Sequence, residues 1–138
     1  MLLFVYALKQ VYRIKKRGFR EMKITDKDIL RLGTEFESCQ KLLVAIGDEN
    51  RQRLIMIMLK GPCDGSRAAE IAERTNLSRP AVSHHIQILK DAGIVKSRKE
   101  GKLIYYYLDP DSEPVNDMIA LFSDMKQIMK YAPERGEE

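Results

Sequence analysis

The sequence is poor in the residues that mark several classes of protein. Its 138 residues include no tryptophan, two cysteines, eight glycines and five prolines. Two cysteines cannot form a disulfide framework, so we expect a protein of the reducing cytoplasm. The low glycine and proline content excludes collagen-like and low-complexity chains, and no apolar run approaches the roughly 20 residues of a membrane-spanning helix. The chain is also too short for separate cofactor and substrate domains, which leaves one soluble domain.

Positive charge is concentrated in two blocks, although the net charge is only +4. Residues 1–20 carry six basic and no acidic residues, and residues 78–102 carry six basic and two acidic residues. Residues 103–138 are acidic, with eight acidic and three basic residues. A basic block inside a folded domain indicates a polyanionic partner, with a merely solvated surface as the alternative.

The N-terminal stretch is apolar over residues 1–8 and basic over residues 11–20. A secretory signal has the reverse order and ends in small residues, so none is expected. The stretch is interpreted as a helical extension of the domain, as residues upstream of a true start at Met22, or as a weak membrane-surface or nucleic-acid arm. The chain is therefore divided into an extension that need not be ordered or native (1–21), a folded domain (22–131) and an acidic tail (132–138).

Apolar residues at helical spacing predict two helices in the first half of the domain. The first extends over residues 24–46, with Thr25 or Asp26 as its N-cap, and Gly47 ends it. The second follows Asp48, a good N-cap, and ends at a Gly-Pro pair.

A short helix, a tight turn and a second helix follow, and this order predicts a helix-turn-helix. Residues 68–74 form the short helix, and residues 75–77 form the turn. Ser78 caps the second helix. Three apolar residues at helical spacing mark its buried side, namely Val82, Ile86 and Leu89.

Two β-rich runs flank a basic turn after the second helix. Residues 94–99 and 103–108 are predicted to pair as a hairpin around residues 100–102. A last helix begins at Pro114. The expected fold class is mainly α with a small β-hairpin wing, a winged helix-turn-helix.

The second helix of a helix-turn-helix enters the major groove of DNA, with its N-terminal residues nearest the base edges. Its outward face carries suitable groups here, since arginine reads guanine and glutamine reads adenine. Basic side chains at the hairpin tip are expected to reach flanking phosphates or the minor groove. The candidate DNA-binding residues are Ser78, Arg79, Pro80, Ser83, His84 and Gln87 on the helix and Lys96, Arg98, Lys99 and Lys102 on the hairpin. The alternative is a small α/β domain that happens to have a basic turn.

Several separate motifs carry a family resemblance over about half of the chain. They are LVAIGDENR (43–51), AEIA (69–72), LSRPAVSHHI (77–86), LKDAGIV (89–95), RKEGK (98–102) and YYYL (105–108). Together they resemble the ArsR/SmtB family of dimeric winged-helix repressors. The resemblance implies a homodimer built from the first and last helices, although the same apolar stripes also suit an intramolecular core. The candidate dimer residues are Ile29, Leu32, Phe36, Leu43, Val115, Met118, Ile119, Phe122, Met125 and Met129.

The resemblance implies a sequence-specific, double-stranded-DNA-binding transcriptional regulator, a repressor that binds an inverted-repeat operator as a homodimer. The alternative is a winged-helix module that no longer binds DNA and docks on a protein or a membrane surface. The sequence has no phosphate-binding glycine loop and no paired-carboxylate motif, so no enzymatic activity is expected. The sequence does not identify the inducer.

Metal-sensing members of the family resemble one another in a Cys-x-Cys pair on the first helix of the helix-turn-helix. The aligned positions here are Arg67 and Ala69, which are not ligands. No histidine follows His85, so a His-containing site on the last helix is absent. His85 itself matches an inward position of the family, where we expect a structural hydrogen bond. No metal and no cofactor are therefore expected.

The two cysteines lie on a predicted helix and in a predicted loop, so their distance stays open. A reactive thiol needs an accessible, electropositive setting. Lys41 and Arg67 are near Cys39 and Cys63 in sequence, which is weak support for a redox pair. We expect buried or incidental cysteines instead.

These expectations predict operator binding that needs neither metal nor thiol chemistry. Elemental analysis of purified protein should find no stoichiometric metal, and a zinc titration should leave operator affinity unchanged. A Cys39→Ser, Cys63→Ser double variant should bind and release the operator as the parent does, with or without mild oxidant. Tight zinc binding that releases DNA would contradict the first half, and an oxidant response lost in the double variant would contradict the second.

Overall fold

The computed structural model describes residues 24–131, and within this range the chain forms five α-helices and one two-stranded hairpin. The elements in chain order are α1 (Asp26–Ile46), α2 (Glu49–Lys60), α3 (Ala68–Glu73), α4 (Arg79–Asp91), β1 (Val95–Glu100), β2 (Leu103–Leu108) and α5 (Glu113–Tyr131). The predicted order of helices and strands is confirmed.

Small differences from the sequence-based bounds occur at the ends of elements. The helix α3 ends one residue early, β1 is shifted by one residue toward the C-terminus, and α5 begins one residue before Pro114. The predicted N-terminal extension, residues 1–21, and the acidic tail, residues 132–138, lie outside the described residues. No helix in the described part of the chain has the length and apolar character needed to cross a membrane.

Polar side chains fix where the two long N-terminal helices begin. The Thr25 hydroxyl accepts a hydrogen bond from the Asp28 backbone N–H (3.3 Å), and the Asp28 carboxylate accepts one from the Thr25 backbone N–H (2.9 Å). This reciprocal capping box makes Thr25 the N-cap of α1 and lowers the pKa of Asp28. Asp48 caps α2 as predicted, by accepting from the Arg51 backbone N–H at 3.1 Å.

One apolar core receives side chains from all five described helices and from β1. The helix α4 is central to it, because α1, α2, α3 and β1 all pack against this helix. Its three predicted inward residues, Val82, Ile86 and Leu89, are buried as expected. The buried apolar residues are Cys39, Leu42, Ala45, Leu54, Met58, Ile71, Val82, Ile86, Leu89, Ala92, Val95, Met118 and Leu121.

The helices α1 and α5 pack against each other and divide their apolar residues between the core and the surface. Met118 is buried within the single chain, with 7% of its surface exposed, and three other candidate dimer residues pack partly against the core: Leu32, Leu43 and Val115. Met125 is half-buried. The exposed members of the predicted set are Ile29, Phe36, Ile119, Phe122 and Met129. The intramolecular core use is therefore confirmed for part of the set, and the dimer use of the exposed members stays a prediction.

The hairpin is antiparallel and has a two-residue turn. Its register runs from Val95 opposite Leu108 to Glu100 opposite Leu103, so only residues 101–102 form the turn. Gly101 has a φ of +60°, which suits the first turn position of a type II′ hairpin.

A short third segment joins the hairpin at its outer edge. The backbones of Ser66 and Tyr106 exchange two hydrogen bonds, of 3.0 and 2.9 Å. This bridge ties the loop before α3 to β2 and covers part of the strand edge that β1 leaves unpaired.

The base of the hairpin is closed by contacts between the segments that enter and leave it. The Asp109 backbone N–H donates to the Ile94 carbonyl (3.0 Å), and the Ser112 hydroxyl donates to the Gly93 carbonyl (2.8 Å). Gly93 has a φ of +82°, and a Cβ there would lie 2.7 Å from Cγ of Pro114. Only glycine satisfies both the backbone conformation and this close approach.

Gly93→Ala is predicted to destabilise the domain more than Gly101→Ala. Both positions have positive φ, which costs an alanine about 1–2 kcal/mol, but a Cβ at Gly101 meets nothing within 4 Å. The collision with Pro114 adds roughly 1–3 kcal/mol at Gly93. Chemical denaturation of the two variants and the parent measures the difference, and equal losses would contradict the inferred clash.

Candidate nucleic-acid interface

The N-terminus of α4 is built by a side-chain cap and a proline. The Ser78 hydroxyl accepts a hydrogen bond from the Ala81 backbone N–H at 3.3 Å, as the sequence predicts. Pro80 lies in the first turn, where its missing N–H costs no hydrogen bond. The helix dipole places partial positive charge at the N-terminus of α4, and no acidic residue in the first turn opposes it.

The buried stripe of α4 turns its polar residues to the surface. All six candidate residues of this helix are exposed, namely Ser78, Arg79, Pro80, Ser83, His84 and Gln87. The Gln87 amide nitrogen donates to the Asp91 carboxylate (2.8 Å), which orients the side chain along the helix. Guanidinium, hydroxyl, imidazole and carboxamide groups on one surface match the hydrogen-bonding edges of bases in the major groove.

The hairpin places its four predicted basic residues in three different settings. Lys102 lies in the turn and Lys99 near the end of β1, and both are exposed. The Arg98 guanidinium lies 4.8 Å from the centre of the Tyr105 ring and 3.2 Å from the Glu100 carboxylate, so it is held against the strand.

The placement of Lys96 at the hairpin tip was wrong. Lys96 pairs with Tyr107 near the base of the hairpin, and its ammonium lies 3.4 Å from the Asp109 carboxylate. Because the hairpin is antiparallel, Asp109, the residue after β2, lies beside the start of β1. The hairpin register therefore brings the two charges together. The basic tip therefore consists of Lys99 and Lys102.

A basic cavity that the sequence analysis did not identify lies beside the turn of the helix-turn-helix. Its volume is about 250 Å³, and its lining includes Arg53 from α2 together with Arg74 and Asn76 from the turn. Asn76 lies within the predicted turn, whereas Arg74 joins the turn only because α3 ends one residue earlier than predicted. The approach of Arg53 depends on how α2 packs, which no local pattern predicts.

One buried arginine joins three helices behind the exposed face. Arg51 is 9% exposed, and its Nε donates to the Ala45 carbonyl at 2.6 Å. Its Nη2 donates to the Val44 carbonyl at 3.1 Å, and its Nη1 lies 3.3 Å from Nδ1 of His85 on α4. The expected internal hydrogen bond of His85 is thus confirmed. The sequence analysis assigned no role to Arg51.

The residues at the family's metal-binding positions do not fit a metal. Arg67 forms the N-terminal boundary of α3 and pairs with Glu70, its Nη2 2.9 Å from the carboxylate. Hydrogen bonds from Arg67 lower the pKa of Glu70. Across residues 24–131 no three His, Cys, Asp or Glu side chains are arranged to hold a metal ion.

The two cysteines have contrasting environments. Cys39 is buried in the core, and burial, followed by the charges of Asp117 and Glu35, raises the pKa of its thiol. A raised pKa disfavours the reactive thiolate. Cys63 is exposed in the loop after α2, and both cysteines are free thiols.

Comparison with known proteins identifies the family. Residues 48–97 match the family described as bacterial regulatory protein, arsR family. The transcriptional repressor SdpR of Bacillus subtilis (strain 168) is 42% identical over 65 residues, which cover 47% of this chain and 69% of SdpR. The HTH-type transcriptional regulator YgaV of Escherichia coli (strain K12) is 31% identical over 98 residues, covering 71% of this chain and 95% of YgaV.

A solved structure supports the same fold. The ArsR-like transcriptional regulator from Rhodococcus sp. RHA1 aligns with a TM-score of 0.58 at 20% identity and covers 77% of this chain and 98% of its own. At 20% identity this similarity supports the fold alone, whereas the two relatives above support the family assignment. The chain therefore belongs to the arsR family of bacterial regulatory proteins and is a winged-helix, DNA-binding transcriptional regulator.

Proposed function

We propose that this chain acts as a homodimeric repressor that binds an inverted-repeat operator in double-stranded DNA. The observation that carries the proposal is the orientation of α4. Burial of Val82, Ile86 and Leu89 leaves the opposite face of the helix exposed and rich in hydrogen-bonding groups. In this proposal the N-terminal half of α4 enters the major groove and reads base edges.

The basic hairpin tip and the basic cavity are proposed to bind the phosphate backbone on either side of α4. Lys99 and Lys102 are exposed at the turn, and Arg74 lies in the segment that leads into α4. Phosphate contacts fix the register of a protein on DNA and supply affinity without sequence preference. Arg98 is held by Tyr105 and Glu100. It is proposed to stabilise the hairpin and to add positive charge to it.

The exposed apolar residues of α1 and α5 support the proposed homodimer. Ile119 is 61% exposed and Phe122 45% exposed on α5, and Ile29 and Phe36 are exposed on α1. Several large apolar side chains are thus exposed on two helices that pack against each other, which supports an interface because apolar surface in water is unfavourable. A two-fold dimer presents two copies of α4, which matches an operator with two inverted half-sites.

The proposed action is repression without catalysis. SdpR is named a transcriptional repressor, and the arsR family consists of regulatory proteins. A dimer bound across an operator excludes other proteins from the same DNA. A winged-helix module that no longer binds DNA would have little need of the exposed polar face and basic turn together. The role agrees with the cytoplasmic location expected from the composition.

The hairpin tip is predicted to contribute salt-dependent, sequence-independent affinity. Replacing Lys99 and Lys102 with Ala should weaken binding to all DNA sequences alike and flatten the dependence on salt, whose log–log slope is about −0.9 per phosphate contacted. Lys60→Ala, an exposed change at the end of α2, serves as the control. Binding titrations between low and high salt measure the slope, and an unchanged slope would remove the tip from the contact set.

The outward face of α4 is predicted to set sequence preference. Selection from random DNA should yield an inverted repeat whose half-sites lie about one helical turn apart. Arg79→Ala or Gln87→Ala should cost about 1–3 kcal/mol on this operator and relax base preference, because bidentate base contacts are lost. Analytical ultracentrifugation of the complex gives the number of chains bound. A single asymmetric site occupied by one chain would overturn the dimer.

A further inference from the structure

We propose that Arg51 and His85 form a positioning pair that holds the recognition helix α4 at a fixed orientation to α1. The inference rests on the proposed function, in which α1 contributes to the dimer contact and α4 reads the operator. Neither residue is exposed enough to be the main DNA contact, since Arg51 is buried and His85 half-buried. Their role is to act through α4.

The guanidinium of Arg51 completes the C-terminal end of α1. The last carbonyls of a helix have no partner within the helix, and α1 has no basic residue of its own in its last turn. Arg51, from the following helix, donates to the carbonyls of Val44 and Ala45 instead. Two charge-assisted hydrogen bonds from one planar group fix both its position and its orientation.

The remaining edge of the same guanidinium faces α4. A guanidinium has donors only, so a hydrogen bond at this 3.3 Å contact requires the tautomer in which Nδ1 of His85 accepts from Nη1 and Nε2 carries the proton. The charged groups that face this contact are Arg51 itself and Asp48, whose carboxylate caps α2 next to it. The centre of the neighbouring His84 ring lies 5.8 Å from the centre of the His85 ring, and His84 is exposed.

This arrangement links the proposed dimer helix to the proposed reading helix through one rigid side chain. An operator with two half-sites requires both copies of α4 to be held at a set distance and angle at the same time. A helix that is already oriented loses less entropy on binding than one that must be ordered by the DNA. The pair therefore contributes to binding of the complete operator and little to contacts within one half-site.

Two substitutions of His85 distinguish the loss of its hydrogen-bond acceptor from the loss of its ring. His85→Met fills a similar volume but offers only a weak thioether acceptor, whereas His85→Asn keeps an amide oxygen at the position of Nδ1, the atom that contacts Arg51. The probes are the inverted-repeat duplex recovered by selection and the same duplex with one half-site scrambled. Affinity for both is measured at one salt concentration, together with the free energy of unfolding.

We expect His85→Met to weaken binding of the complete inverted repeat about tenfold, the value of one hydrogen bond to a charged group, and to change the half-site affinity by less than about twofold. His85→Asn should restore parental affinity on both probes. His84→Met is the matched control. Its side chain belongs to the proposed base-reading face, which is used twice on the intact repeat and once on the scrambled duplex. It should therefore weaken both probes, the intact repeat by about the square of the factor seen on the scrambled duplex.

Three outcomes would overturn the positioning pair. One is a His85→Asn variant as weak as His85→Met, and another is a loss of more than about twofold on the scrambled duplex for His85→Met. If His85→Met does not fold, Arg51→Lys replaces it, because a lysine ammonium cannot donate to both α1 and α4 in the same geometry. The third outcome is then a folded Arg51→Lys variant whose ratio of affinities for the intact repeat and the scrambled duplex equals that of the parent. If the parent itself fails to prefer an inverted repeat, the proposed function fails rather than the pair.

Discussion

The burial of one apolar stripe on α4 is the constraint on which the rest of the molecule depends. Val82, Ile86 and Leu89 are almost fully buried, and four other elements pack against the helix that carries them. A rotation of α4 by one residue, about 100°, would place polar groups in the core and apolar groups in water. The packing that stabilises the domain therefore also determines which side chains α4 presents outward, so the core and the proposed DNA-reading surface occupy opposite faces of the same helix.

Local signals in the sequence predicted most of the fold and the outward face of α4. Helical spacing, the caps Asp48 and Ser78 and the glycine of the hairpin turn act over a few residues, so they are legible without the tertiary structure. The choice between Thr25 and Asp26 as N-cap was settled by Asp28, three residues after the true cap. Contacts between distant segments could not be predicted, because they depend on how finished elements pack.

Arg51 and Lys96 are two residues whose contacts with distant segments could not be predicted from the sequence. In the sequence Arg51 is one charged residue near the start of a helix, and only the packing of α1, α2 and α4 buries it and gives it three acceptors. Lys96 has the basic character of the hairpin but lies at its base, where Asp109 neutralises it. Charge counted along the chain marked the hairpin as basic but could not distinguish an exposed lysine at the turn from one paired with a carboxylate at the base.

The closed base of the hairpin has a consequence for how such a protein can change over generations. Gly93, Ser112 and Asp109 fix the points where the chain enters and leaves the hairpin, so the turn is separated from the core by strands that pair with each other. Loops held in this way tolerate changes of length and charge without disturbing the domain. In the proposed function, the overall strength of DNA binding can thus vary at the turn while base preference varies on α4, and the two properties can evolve independently.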